Sequence, residues 1–153
     1  MSQLSDVFTA LAAKQITVDT QTPTIKDLGD LKNSITSADM PIRFLSEIEG
    51  GNLRLINVTE TNSKAAYTIE WTIQDLLLWK PLGATDKIGS VMPNLASYAG
   101  KYAEMLREFQ CPTTQTQLKQ ANIQVRPVEW PELSGSFYFG CISTLTILEY
   151  LTE

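Results

Sequence analysis

Glu47 and Glu49 flank Ile48, and residues two apart in an extended strand share a face. Paired carboxylates of that kind can divide general-acid and general-base work. The plainer reading is two solvated carboxylates at a strand end, and it is the stronger one. Histidine is absent from all 153 residues. That removes the commonest general base and the commonest metal ligand, and with them any standard Ser-His-Asp triad. Of the two cysteines, Cys111 is followed by Pro112 in a loop. Cys141 falls mid-strand, where a free thiol behaves as a small apolar group. With no secretory signal, free thiols are expected ahead of a disulfide. Asp27, Asp30 and Asp39 do not have the spacing of a calcium loop. Gly50-Gly51 reads as a hairpin turn rather than a phosphate cradle. These residues predict no catalytic site, no metal and no cofactor.

Aromatic residues offer a different kind of chemistry, that of contact. Trp71 keeps register with Tyr67 and Ile69 and reads as core. Trp79 and Trp130 adjoin Pro-containing loops, where an aromatic can anchor an interface. The candidate interface residues are therefore Trp79, Trp130, Glu47 and Glu49. Tyr98 and Tyr102 lie one helical turn apart on an apolar stripe and read as core.

Composition narrows the partners. The net charge is −5 and the pI about 4.7, while Arg43, Arg54, Arg107 and Arg126 are scattered. General nucleic-acid binding needs clustered cations, and none are seen. No stretch reaches the about 18 apolar residues of a membrane span, so a soluble protein made in a cytoplasm is expected. Hydrophobic residues make up 43% of the chain, enough for one domain, 1–153, with a single core.

The elements follow from periodicity. Leu4, Val7, Phe8, Leu11 and Ala12 give a first amphipathic helix, over by Gln15, with Asp6 favourable in its first turn. Ile16 and Val18 indicate a short strand, and Thr20 to Thr24 a polar loop. Lys26 to Ile35 fits a weak helical turn or two, Ser37 to Pro41 a turn, and Ile42, Phe44 and Leu45 the start of a strand. Leu53 to Glu60 reads as a second strand and Thr61 to Lys64 as the turn after it. From Ala65 to Ile73 apolar and polar residues alternate strictly, the mark of a half-buried strand. Leu76 to Trp79 either continues it past a bulge or forms a buried turn. Ile88 to Phe109 carries one helical stripe through Val91, Met92, Leu95, Tyr98, Ala99, Tyr102, Met105 and Leu106. Pro93 is tolerable in a first turn, which places the regular helix from near Ser90. Thr113 to Ala121 reads as a loop or short helix. Ile123 and Val125 start a strand interrupted at Pro127, and Ser136 to Leu151 is a long final strand. Beyond Gly140 that strand is apolar on both faces, as when covered on two sides. The fold class is α+β: a mostly antiparallel sheet packed by one long helix plus a shorter N-terminal helix.

That order resembles the tail terminator, or tail completion, proteins of long-tailed bacteriophages. The likeness rests on an N-terminal helix, the turn Ser37-Ala38-Asp39-Met40-Pro41 leading into Ile42-Arg43-Phe44, a β-meander, one long helix and a terminal strand pair ending with Tyr138 to Tyr150. It spans nearly the whole chain. The resemblance implies a homohexameric ring that caps the tail tube protein, stops its polymerisation and joins the tail to the head-tail connector or stopper protein. DNA would pass through the lumen without specific binding, and the protein would reside in the virion tail or neck after synthesis in the host cytoplasm. Other classes compatible with the pattern are a head-closure adaptor or tube subunit, and a cellular ligand-binding α+β domain.

Overall fold

The computed structural model describes residues 4–25, 40–56, 66–82, 88–130 and 136–152. Along the chain run α1 (Leu4–Ala12), β1 (Thr24–Ile25), β2 (Ile42–Ile56), β3 (Ala66–Pro81), α2 (Ile88–Glu108), β4 (Thr116–Trp130) and β5 (Ser136–Thr152). The strands form a five-stranded sheet in the order β1-β2-β3-β5-β4. Only β1 and β2 are parallel; every other pair is antiparallel. The fold is thus α+β with a mostly antiparallel sheet.

In α1 the apolar spacing of three and four puts Leu4, Val7 and Leu11 into the core, with Asp6 in the first turn. The short strand expected at Ile16 to Val18 is instead one arm of a tight reversal. Val18 and Gln21 exchange both backbone hydrogen bonds at 2.9 Å. Between them Asp19 (φ 49°) and Thr20 (φ 62°) both occupy the left-handed region, the geometry of a type I′ turn. Ile16 and Val18 are buried, as their alternation requires. The loop expected through Thr24 stops short, because Thr24 and Ile25 pair with Ile42 and Arg43. The weak helix expected at Lys26 to Ile35 lies outside the described residues. So does most of the Ser37 to Pro41 turn; the Met40-Pro41 peptide is cis.

Gly50-Gly51 does not turn the chain. Both glycines sit inside β2, opposite Thr72 and Trp71. The strand is interrupted by irregularities between Leu45 and Glu47 and between Ile48 and Gly50. Glycine within a strand commonly marks such a bulge. Here β3 is long enough to hold partners for the residues on both sides, so one strand replaces the two expected. The turn expected at Thr61 to Lys64 lies outside the described residues.

Leu76 to Trp79 continues β3, with a bulge between Leu78 and Lys80. The run is apolar on both sides because the sheet is buried on both faces there. Ile73, Leu77 and Trp79 share a cluster with Leu11, Val91, Leu95, Tyr98 and Tyr102 from the helices. Leu76 and Leu78 belong to a second cluster with Ile42, Phe44, Val128, Tyr138 and Ile142.

The stripe of α2 buries Val91, Leu95, Tyr98, Tyr102 and Leu106. Met92 was expected on it but is exposed, being one residue, about 100°, off the inward direction. The helix starts at Ile88, ahead of Ser90, and Pro93 stands inside it. Thr113 to Ala121 is neither loop nor helix through most of its length: β4 begins at Thr116 and runs unbroken through Pro127. β5 lies between β3 and β4 and is buried on both faces: Cys141, Leu145 and Ile147 belong to the cluster shared with the helices and Ile142 to the second.

Candidate functional site

Charged residues inside an apolar strand must find partners or raise the cost of folding. Arg43 stands between Ile42 and Phe44, and Asp75 precedes Leu76-Leu77-Leu78. β2 and β3 set Leu45 opposite Asp75 and Arg43 opposite Leu77, so Arg43 and Asp75 are diagonal neighbours. The Arg43 Nε donates to Asp75 Oδ1 at 3.0 Å and Oδ2 at 2.9 Å, and Nη2 donates to Oδ2 at 2.7 Å. Tyr102 of α2 donates its hydroxyl to Asp75 Oδ2 at 2.6 Å. The remaining guanidinium hydrogens reach the end of α1: Nη1 to the Lys14 carbonyl at 2.6 Å, Nη2 to the Leu11 carbonyl at 3.2 Å. A cation is favoured at that helix terminus, where carbonyls lack helical partners. The guanidinium carbon also lies 5.5 Å from the centre of the Tyr102 ring, and Tyr98 stacks on Tyr102 at 5.9 Å.

The electrostatics are those of a closed pair. Burial works against the Arg43 charge, but Asp75 outweighs it and holds the group above its ordinary value. Complete burial pushes the Asp75 carboxyl upward, opposed by Arg43 and by the Tyr102 hydroxyl. Burial, followed by the nearby Asp75, raises the phenols of Tyr98 and Tyr102 well above their usual range. Burial likewise lifts the Cys141 thiol to about 11. Arg43 and Asp75 are each 2% exposed, so substrate has no approach. This constellation holds α1, β2, β3 and α2 together; it is a structural centre. A second buried carboxylate, Glu149, accepts from Trp71 Nε1 at 2.8 Å. Neither carboxylate belongs to a recognisable motif in the sequence. The available signal was a charge placed among consecutive apolar strand residues.

Of the four candidate interface residues, Trp79 alone has a described side chain. Trp79 is 1% exposed: it follows Ile73 and Leu77 at every second position of β3 into the core shared with the helices, and it anchors no surface. Trp130 ends β4, and its side chain lies outside those described. Glu47 pairs in register with Gln74, whereas Glu49 falls at the bulge between Ile48 and Gly50. The side chains of both lie outside those described. β2 and β4 are separated by β3 and β5, about 14 Å at ordinary strand spacing, so the backbones at Glu47 and Trp130 are not neighbours in the sheet.

What the molecule does present is surface. Among the described strands β4 lies at the sheet edge, with Gln117, Lys119, Gln120, Ala121, Asn122, Gln124 and Arg126 exposed along it. Leu82 and Phe137 are 41% and 50% exposed. They are joined by a 3.0 Å bond from the Leu82 N–H to the Phe137 carbonyl, where β3 ends and β5 begins. An open groove of about 370 Å³ runs between the end of α2 and the start of β4, lined in part by Leu106, Phe109, Cys111 and Leu118. Cys111 is partly exposed and Cys141 buried, and both are free thiols. No helix among the described residues is long and apolar enough to cross a membrane. No protein-family model matches the chain, and no curated protein matches it in sequence.

Proposed function

We propose that the protein is a structural subunit of a long-tailed bacteriophage virion. It is a tail terminator that forms a homohexameric ring, caps the tail tube and joins it to the head connector. The observation that carries this reading is the element order: a first helix, a long strand pair, one long helix and a second long strand pair. In this reading the sheet, packed by α2 and the shorter α1, is the rigid body of each ring subunit. The buried ionic groups support a non-enzymatic role, since Arg43, Asp75 and Tyr102 are engaged in holding elements together. A net charge of −5 suits a lumen through which DNA slides without adhering. Ring closure uses a heterologous contact, one edge of a subunit against a different edge of the next.

The test is addition of the purified protein to tails assembled without it. Electron microscopy should then show a six-fold ring at one tail end, tubes of fixed length, and tails able to join filled heads. Tails that keep growing and carry no added mass at either end would defeat the reading.

A further inference from the structure

The edge strand β4 has an inner and an outer set of backbone groups, and Pro127 identifies which is which. Pro127 stays in register with Phe139 although it has no N–H. A strand residue can do that only where its backbone groups point away from the neighbouring strand. Direction alternates along a strand, so Val125, Ile123 and Ala121 also point their N–H and C=O groups outward. Arg126, Gln124 and Asn122 point theirs towards β5. The outward stretch is bounded by Pro127 on one side and by the bulge between Leu118 and Gln120 on the other.

We propose that this stretch pairs antiparallel with the same stretch of a second copy, about a two-fold axis at Ile123. In that register Ile123 meets Ile123 of the other copy and Ala121 meets Val125, all of them outward-facing positions. Three residues on each side then form about six hydrogen bonds. Asn122 meets Gln124 and Gln120 meets Arg126, so no like charges stand opposite one another. The seam is amphipathic in the same sense as the sheet. Ile123 and Val125 are half-buried against the helix-side core, and pairing would cover their remaining apolar surface. Lys119 and Pro127, residues that guard exposed edges, fall at the ends of the paired stretch. The pairing stands apart from the ring reading: subunits of a rotationally symmetric ring all face one way, so β4 cannot meet itself there. It belongs to the free chain.

Sedimentation from ~1 μM to ~1 mM should show a monomer–dimer equilibrium, since a small interface is concentration-dependent. Ile123→Pro removes an outward N–H without breaking a bond to β5, at the cost of the half-buried Ile123 side chain, and should abolish the dimer while β4 stays paired with β5. A cysteine series in a Cys111→Ser background checks the register without relying on that variant's folding. Ile123→Cys should crosslink to itself under mild oxidation, and Ala121→Cys alone should not, because its partner is Val125. A monomer throughout the range would overturn the proposal. So would association unchanged in a folded Ile123→Pro chain, or equal crosslinking at both positions.

Discussion

Arg43 donates to a carboxylate on β3 and to two carbonyls at the end of α1, so its loss and the loss of Asp75 are not equivalent. Asp75→Ala leaves a guanidinium buried without a counter-charge and should cost about 3–5 kcal/mol. Tyr102→Phe removes one hydrogen bond to an ionised group and should cost about 1.5–3 kcal/mol. Urea melts of the two variants and their double should show strong non-additivity; independent effects would mean that the three groups do not act as a unit. This centre was not legible from the sequence. Thirty-two positions separate Arg43 from Asp75, and only the register of β2 on β3 brings them together. Thr20 is a simpler case. It is β-branched at φ 62°, a conformation that costs such residues about 1–2 kcal/mol. Thr20→Gly should relieve that strain, less about 0.5–1 kcal/mol for added freedom of the unfolded chain. Thermal melts should show a net gain of about 0.5–1 kcal/mol.

At the scale of elements, α1 and α2 were legible and the strand boundaries were not. The stripe Val91, Leu95, Tyr98, Tyr102 and Leu106 has a period that only a helix provides. A strand edge has no such signature. β4 carries exposed polar side chains at Gln117, Lys119, Gln120, Asn122, Gln124 and Arg126, so its start lacks the clean alternation that marks a half-buried strand. Bulges did the rest: β2 runs on through Gly50-Gly51 with irregularities on either side of Glu47 and Ile48. Sequence alternation cannot reveal where an extra residue enters a strand. Gly140 shows how tightly these irregular strands approach. A Cβ there would stand 2.1 Å from the Leu77 carbonyl oxygen and 3.0 Å from Val128 Cγ2. The first is backbone held in the β3–β5 ladder and cannot rotate away. Gly140→Ala should therefore cost about 3 kcal/mol or more. Urea melts that place it within about half a kcal/mol of the wild type, the range of an ordinary surface substitution, would show that the strands part readily.

The whole molecule closes over several acidic protons, and this gives its stability a definite dependence on alkali. Burial raises the thiol of Cys141 from 9.0 to about 11 and the phenols of Tyr98 and Tyr102 well above 10.0. In the unfolded chain the same groups ionise near their ordinary values. Their folded values are the higher ones, so the associated stability is complete below pH ~9. As pH rises further the unfolded chain loses protons that the folded chain keeps, and stability falls. Each group contributes a slope of about 1.4 kcal/mol per pH unit between its unfolded and folded values. Chemical denaturation from pH 7 to 11 should show a plateau followed by a steepening decline. Cys141→Ala should remove the part that begins near pH ~9, and Tyr98→Phe part of the slope above pH ~10. Native labelling at pH 8 should modify Cys111 before Cys141, because only Cys111 is partly exposed. A stability curve flat to pH 11, or prompt labelling of both thiols, would mean that solvent reaches this core, and the burial of Tyr98, Tyr102 and Cys141 would have to be abandoned.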